Sequence, residues 1–199
     1  MELVLASNNP GKLRELQLTL APLDLQLLSQ ADFNIPEALE DGSSFVENAI
    51  IKARHAAQLT GLPALADDSG LEVDALDGEP GIYSARYAGL DQGRDANDAA
   101  NNQLVLEKLK NVAKAERTAR FHCVIVYMRF ANDPMPLICQ GSWEGRILNE
   151  ERGQNGFGYD SIFYVPEHDC ASAELAPEQK NTISHRAKAI QKLLQRWPS

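Results

Sequence analysis

The sequence predicts an α/β fold, and three observations carry that prediction. Leu3-Val4-Leu5-Ala6 is a short apolar run suited to a buried strand, and Leu13, Leu16 and Leu20 follow it at helical spacing. Ala64-Leu65-Ala66 is a second such run, preceded by a helix with clear boundaries. Phe121 to Phe130 is dense enough in β-favouring residues to be a central strand. At 199 residues the chain is long enough to bury a sizeable core, and one domain over residues 1–199 is expected.

Bulk composition narrows the function classes. The chain is 44% hydrophobic and 24% charged, as soluble globular proteins are. No run approaches the ~18 apolar residues of a membrane span, so no membrane partner is expected. Met1-Glu2-Leu3-Val4 leads into strand-like sequence without a basic start, so no signal peptide is expected either. Cys123, Cys139 and Cys170 are odd in number and widely spaced, which suits a reduced, cytoplasmic chain. The net charge of −9 argues against a nucleic-acid groove, which would carry basic stripes.

The first strand runs into Ser7-Asn8-Asn9-Pro10-Gly11-Lys12. Ser7, Asn8 or Asn9 can cap the helix, and Pro10 suits its first position. Free backbone N–H groups at a helix start, with Lys12 in reach, form an anion site, although many αβ units begin this way for structural reasons alone. The Walker spacing is absent. Residues 21–42 look irregular, apart from an alternating stretch over Leu23–Leu27; Glu37, Glu40 and Asp41 form an acidic patch that reads first as a solvated loop. Ser44-Phe45-Val46-Glu47 has capping-box form, Val46, Ala49, Ile50, Ala53 and Ala57 make an apolar face, and Gly61 and Pro63 end the helix. Asn48 and Lys52 share another face, either a solvated stripe or a cleft lining with Lys52 on a phosphate.

Pro63-Ala64-Leu65-Ala66-Asp67-Asp68-Ser69-Gly70 organises the rest. A strand over 64–66 would end in two acids, at the strand end where open α/β sheets place ligands. Two adjacent carboxylates repel unless a cation or proton sits between them, and Mg²⁺ prefers such hard oxygens. The same four polar residues are also good turn chemistry. Leu71, Val73 and Ala75 then alternate as in a half-exposed strand, and Tyr83 to Gly89 shows no usable periodicity.

A helix is expected from about Asp95 to Lys110, and a long hairpin turns at Asn132-Asp133-Pro134. His122, Cys123 and Cys139 have poor ligand spacing and read as packing residues. Gly153-Gln154-Asn155-Gly156-Phe157-Gly158-Tyr159-Asp160 suits a loop that meets a flat ligand, with Phe157 as a stacking face, or simply a glycine loop with a buried aromatic. Ile183, Ala187, Ile190, Leu194 and Trp197 mark a last helix. Lys180, His185 and Arg186 lie at its start, where cations oppose the helix dipole, which suggests an anion or acceptor opposite them.

Five motifs then stand in order: Leu5 to Lys12, Glu47-Asn48-Ala49 with Lys52-Ala53, Ala66 to Leu71, Phe157 to Asp160, and Ser184-His185-Arg186. Together they resemble the inosine triphosphate pyrophosphatase family, its bacterial house-cleaning branch above all, from Leu3 to about Ile190. Asn155 stands where a glycine is common, and asparagine tolerates the same left-handed backbone. Ser161 replaces a usual proline.

The resemblance implies an elongated two-lobed fold, with a central mixed sheet flanked by helices and an active-site cleft between the lobes. It implies a homodimer and Mg²⁺-dependent hydrolysis of a small-molecule purine nucleoside triphosphate (ITP, dITP or XTP) to the monophosphate and pyrophosphate. It places Glu40 and Asp68 on the metal, with Asp68 as general base. Those two roles conflict, since a metal-bound carboxylate is a poor proton acceptor; Asp68 reaches the metal through water, or Asp67 shares the work. Ser7, Asn8, Asn9, Pro10, Gly11, Lys12, Lys52 and Lys180 would hold the triphosphate. Ser69, Phe157, Gly158, Tyr159, Asp160, His185 and Arg186 complete the substrate site. His185 and Arg186 are donors suited to the O6 acceptor of hypoxanthine or xanthine, and adenine would leave them unpaired. Two rival readings are a Maf-like pyrophosphatase of other nucleotides, disfavoured by Gly11-Lys12 and Ser184-His185-Arg186, and a non-hydrolytic nucleotide-binding module, disfavoured by Glu40, Asp67 and Asp68.

Overall fold

Alternation along the first strand already divides the core. The computed structural model describes residues 1–198 apart from Asn9, Asp24 and residues 90–93, so the expectation placed on Asn9 lies outside the described residues. The elements are β1 (Glu2–Leu5), α1 (Pro10–Leu20), β2 (Gln26–Ser29), α2 (Phe45–Thr60), β3 (Ala64–Val73), α3 (Arg94–Lys108), β4 (Thr118–Met128), β5 (Leu137–Ile147), β6 (Phe163–Val165), β7 (Cys170–Ala171), α4 (Pro177–Ile183) and α5 (His185–Arg196). One mixed sheet of seven strands has the order β2-β1-β3-β4-β5-β6-β7. β1 lies parallel to β2 and β3, and β6 antiparallel to β5 and β7. Two compact units are present, Met1–Asp68 with Cys123–Gly141 and Lys188–Ser199, and Ser69–His122 with Ser142–Ala187.

In the first unit, Leu3, Leu5 and Leu65 pack with Leu16 and Leu20 of α1 and with Ala189, Ile190 and Leu193 of α5. Val4, Ala6, Ala64 and Ala66 take the other face and pack with Ala49, Ala53, Ala56 and Ala57 of α2. Period-two side chains on β1 and β3 thus feed two cores at once. Burying a side chain such as Leu65, 1% exposed, stabilises the fold by about 2 kcal/mol. The boundaries of α2 follow its sequence signals. Ser44 Oγ accepts from the Glu47 N–H at 3.3 Å, and Gly61 closes the helix at φ 71°. The Glu47 carboxylate accepts from the Ser43 N–H and the Ser44 hydroxyl rather than from the Ser44 N–H of a strict capping box.

Several expectations need correction. β3 does not stop at Ala66 but runs ten residues through Asp67-Asp68-Ser69-Gly70 to Val73. Turn-forming composition is overridden because each acid meets a lysine on its own face of the strand. Ala75 leaves the strand in a 3₁₀ turn over Asp74–Leu76, and another turn over Gly81–Arg86 orders part of the stretch that lacked periodicity. β2 covers Gln26–Ser29 rather than Leu23–Leu27, since Ala21–Leu23 form a 3₁₀ turn. Asn48 is no solvated stripe: it is fully buried, and its Oδ1 accepts from the Gly42 N–H at 2.9 Å. The last helix is two helices, broken at Ser184 (φ −67°, ψ 164°), so Lys180 belongs to α4.

The second unit is built around Phe121, Trp143 and Phe163, with Leu71, Val105, Leu109 and Ile162. On the polar side of its strands, His122 bridges Ser142 Oγ at 2.9 Å and Glu72 Oε2 at 3.0 Å. Cys123 and Cys139 are buried in the first unit's core, in keeping with packing roles. Among the described residues, no helix is long and apolar enough to cross a membrane.

The turn after β4 carries a pH-dependent contribution to stability. Asp133, 3% exposed, accepts from the N–H groups of Arg129 and Met135, both at 3.0 Å, and from the Arg129 guanidinium at 2.8 and 2.6 Å. Bonding to Arg129 holds this carboxyl well below the usual carboxylate range, against the opposing push of burial. A depressed folded-state pKa gives stability that is fully present above the ordinary value of about 3.9 and lost as pH falls through the folded value. Urea midpoints measured from pH 7 to pH 2.5 should therefore fall more steeply for the wild type than for Asp133→Asn, the two curves converging at the acid end. Parallel curves would remove Asp133 from the acid response.

Candidate active site

Strand parity delivers the two central acids to different helices. Asp67 follows Leu65 towards α1, where its Oδ2 accepts from Lys12 Nζ at 2.7 Å. Asp68 follows Ala66 towards α2, where its Oδ1 accepts from Lys52 Nζ at 2.7 Å. Glu40 Oε1 reaches the same ammonium at 3.4 Å, so Glu40 and Asp68 converge on one cationic centre. Burial is the largest influence on Asp68 and raises its pKa; Lys52 offsets only part of it. Burial pulls Lys52 down, and the carboxylates of Asp68, Asp67 and Glu40 together outweigh it, leaving the ammonium more firmly protonated than usual.

A cavity of about 150 Å³ opens beside these groups, lined among others by Ser7, Asn8, Lys12, Glu40, Lys52 and Asp67. Sequence reasoning missed Gln30 and Glu37, which also line it. Glu37 Oε1 accepts from Asn8 Nδ2 at 2.8 Å, so part of the acidic patch is structural. Its place in that patch was the available signal; Gln30 had none. Pro10 and Gly11 open α1, and Ser69 continues β3. Among the described residues, no group of three or more His, Cys, Asp or Glu side chains is arranged to hold a metal. The two carboxylates on Lys52 nevertheless suit Mg²⁺, which is usually bound through one or two carboxylates plus substrate phosphates and water.

A second cluster lies wholly within the second unit. Phe157 keeps 44% of its surface exposed, so it is not the buried aromatic of a glycine loop. Lys180 Nζ lies 5.6 Å and Arg186 Cζ 5.9 Å from its ring centroid. Asp160, 4% exposed, accepts from the Phe157 N–H at 2.9 Å and from Ser172 Oγ at 2.9 Å, and pairs with Lys180. Gly156 sits at φ 82°, where an added Cβ would lie 2.1 Å from Asp160 Oδ2; no other residue fits beside that pair. Gly158 has φ 61°. Asn155 is not among the positive-φ residues, contrary to the expected left-handed backbone; its Nδ2 instead donates to the Leu175 carbonyl at 3.1 Å. Tyr159 is buried, its hydroxyl donating to the Ser84 carbonyl, and burial pushes its pKa far up. His185, 8% exposed, stacks on Phe121 at 4.8 Å between centroids, which fixes its ring plane.

The first unit thus holds a lysine-and-carboxylate cavity and the second an exposed aromatic ring with two cations within about 6 Å, the kinds of group that anions and flat rings bind, on an α/β protein. The chain belongs to the Ham1 family, whose model matches residues 3–196. It is 60% identical over 195 residues to a dITP/XTP pyrophosphatase of Pseudomonas aeruginosa, covering 98% of this chain and 96% of that one. It is 58% identical over 192 residues to a dITP/XTP pyrophosphatase of Vibrio parahaemolyticus, covering 96% and 94%. Among solved structures, a HAM1 protein from Coxiella burnetii superposes with a TM-score of 0.92 at 54% identity, covering 98% of this chain and 97% of that one.

Proposed function

We propose that this chain hydrolyses noncanonical purine nucleoside triphosphates, ITP, dITP and XTP, to the monophosphate and pyrophosphate. The convergence of Glu40 and Asp68 on Lys52, beside a cavity that Lys12 also lines, supports this reading most directly. Water attacks the α-phosphorus, and pyrophosphate leaves. Asp68, anchored through Oδ1 on Lys52, takes the proton of that water at Oδ2. Its burial raises the proton affinity a base requires. Lys12 and Lys52 neutralise charge on the triphosphate, with Ser7, Asn8 and the start of α1 at Pro10 and Gly11 beside it. Glu40, with Asp68 reaching the ion through water so that it stays a base, would hold Mg²⁺, which when bound would neutralise charge on the leaving pyrophosphate.

Phe157 offers the stacking face for the base, and Lys180, engaged by Asp160 beside that ring, belongs with this group more than with the triphosphate. His185 and Arg186 serve as donors to O6 of the purine. A single domain over 1–199, acting in the cytoplasm as a homodimer, completes the reading.

Pyrophosphate release from equal concentrations of ITP, dITP, XTP, GTP, ATP and dTTP tests it. Expected is turnover of ITP, dITP and XTP at least about 100-fold above ATP, abolished by EDTA and restored by Mg²⁺. Turnover led by dTTP would move the chain to a Maf-like activity. No turnover of any nucleotide would leave a binding module.

A further inference from the structure

α3 carries two polar residues one turn apart that close on a single glycine. Asp98 Oδ2 accepts from the Gly158 N–H at 2.7 Å. Asn102 Nδ2 donates to the Gly158 carbonyl at 3.1 Å and to Ser161 Oγ at 3.1 Å. Four-residue spacing on a helix places both side chains on one face, so they grip the N–H and the C=O of the same residue. Gly158 follows Phe157 directly, and the Phe157 N–H is itself held by Asp160 at 2.9 Å. Three side chains therefore fix the backbone on both sides of an aromatic ring that is 44% exposed.

Asn102 is itself 3% exposed, and among the described residues its Oδ1 has no hydrogen-bond partner. A buried amide with one end unsatisfied costs stability that a leucine of similar size would not. The donated pair of hydrogen bonds to Gly158 and Ser161 is what that cost maintains. Ser161 belongs to the same device: its hydroxyl accepts where a proline would offer nothing.

We propose that Asp98 and Asn102 are positioning residues for the Phe157 ring, and through it set the base selectivity of this enzyme. Neither touches the substrate. A ring whose backbone is clamped meets the purine in one orientation; a released ring stacks on any base and gives up the registry with the donors beside it. The inference rests on the activity proposed above.

The test is kcat and KM for ITP and for ATP in Asp98→Ala, Asp98→Asn, Asn102→Leu and Ser161→Ala, with melting temperatures alongside. In Asp98→Ala and Asn102→Leu, KM for ITP is expected to rise about tenfold with kcat within about twofold, as loss of base stacking would give. The ITP-to-ATP ratio of kcat/KM should fall by a similar factor. Asp98→Asn keeps an acceptor for the Gly158 N–H and should return both quantities to within about threefold of wild type, while Ser161→Ala should shift KM by less than Asn102→Leu. Should Asn102→Leu not fold, the Asp98 pair carries the test. An unchanged ITP-to-ATP ratio, or a lower melting temperature with KM unmoved, would overturn the proposal. A wild-type enzyme inactive on ITP would overturn the underlying activity instead, a result visible before any variant is made.

Discussion

Asp68→Asn is expected to lower kcat for ITP by about 10²–10⁴-fold while leaving ITP binding within about threefold. Asparagine retains an oxygen that can accept from Lys52, which now reaches Asp68 Oδ1 at 2.7 Å, so the local geometry survives. It cannot take a proton from water. Because Glu40 and Asp68 share the Lys52 centre, removing one charge also weakens the hold on a cation. Single-turnover pyrophosphate release across a Mg²⁺ titration separates the two effects. Turnover that stays low at saturating Mg²⁺ assigns the proton to Asp68; full recovery would reduce Asp68 to a metal ligand and pass the base role to Asp67.

Asp160→Ala should be the most damaging change in the second unit. It leaves Lys180 without its carboxylate and deprives the Phe157 N–H and the Ser172 hydroxyl of their acceptor. Removing one member of a buried pair costs about 3 kcal/mol. For a chain of this length that corresponds to a melting temperature lower by about 6–12 °C. Because the lost bonds organise the Phe157 turn, kcat/KM for ITP should also fall about 100-fold, mostly through KM. Gly156→Ala should reproduce the kinetic loss, since its Cβ would occupy space held by Asp160 Oδ2. A stable Asp160→Ala protein with wild-type KM would show that the pair is not what shapes this loop.

Signals that act over a few residues were legible in the sequence. Ser44 and Gly61 bound α2 because capping depends on adjacent backbone alone. Leu3 to Leu5 lie in a strand because the run is apolar on both faces and both faces are covered. Lys12, Lys52, Asp67 and Asp68 were legible as a group only through motif order, and Glu40 only through the family resemblance; the structure pairs Lys12 with Asp67, and Lys52 with both Asp68 and Glu40. Where the reading failed, a partner distant in sequence was responsible. Asp67-Asp68-Ser69-Gly70 looks like a turn until Lys12 and Lys52, 55 and 16 residues away, supply the counter-charges. Asp98 and Asn102 carried no visible signal, because the residue they hold lies 60 and 56 positions further on.

The placement of two acids on successive residues of β3 has a consequence for how this chain can change length. Only residues 61–63 separate α2 from β3. A length change there can be absorbed by the loop, whereas one residue inserted between Ala66 and Asp67 would turn Asp67 to the face of α2 and Asp68 to the face of α1, away from the lysine each now meets. Two residues inserted at that point would restore each acid's facing but carry it about 7 Å along the strand, beyond its lysine. Length can therefore change ahead of the strand but not within it, and which acid does which job is written in the parity of β3.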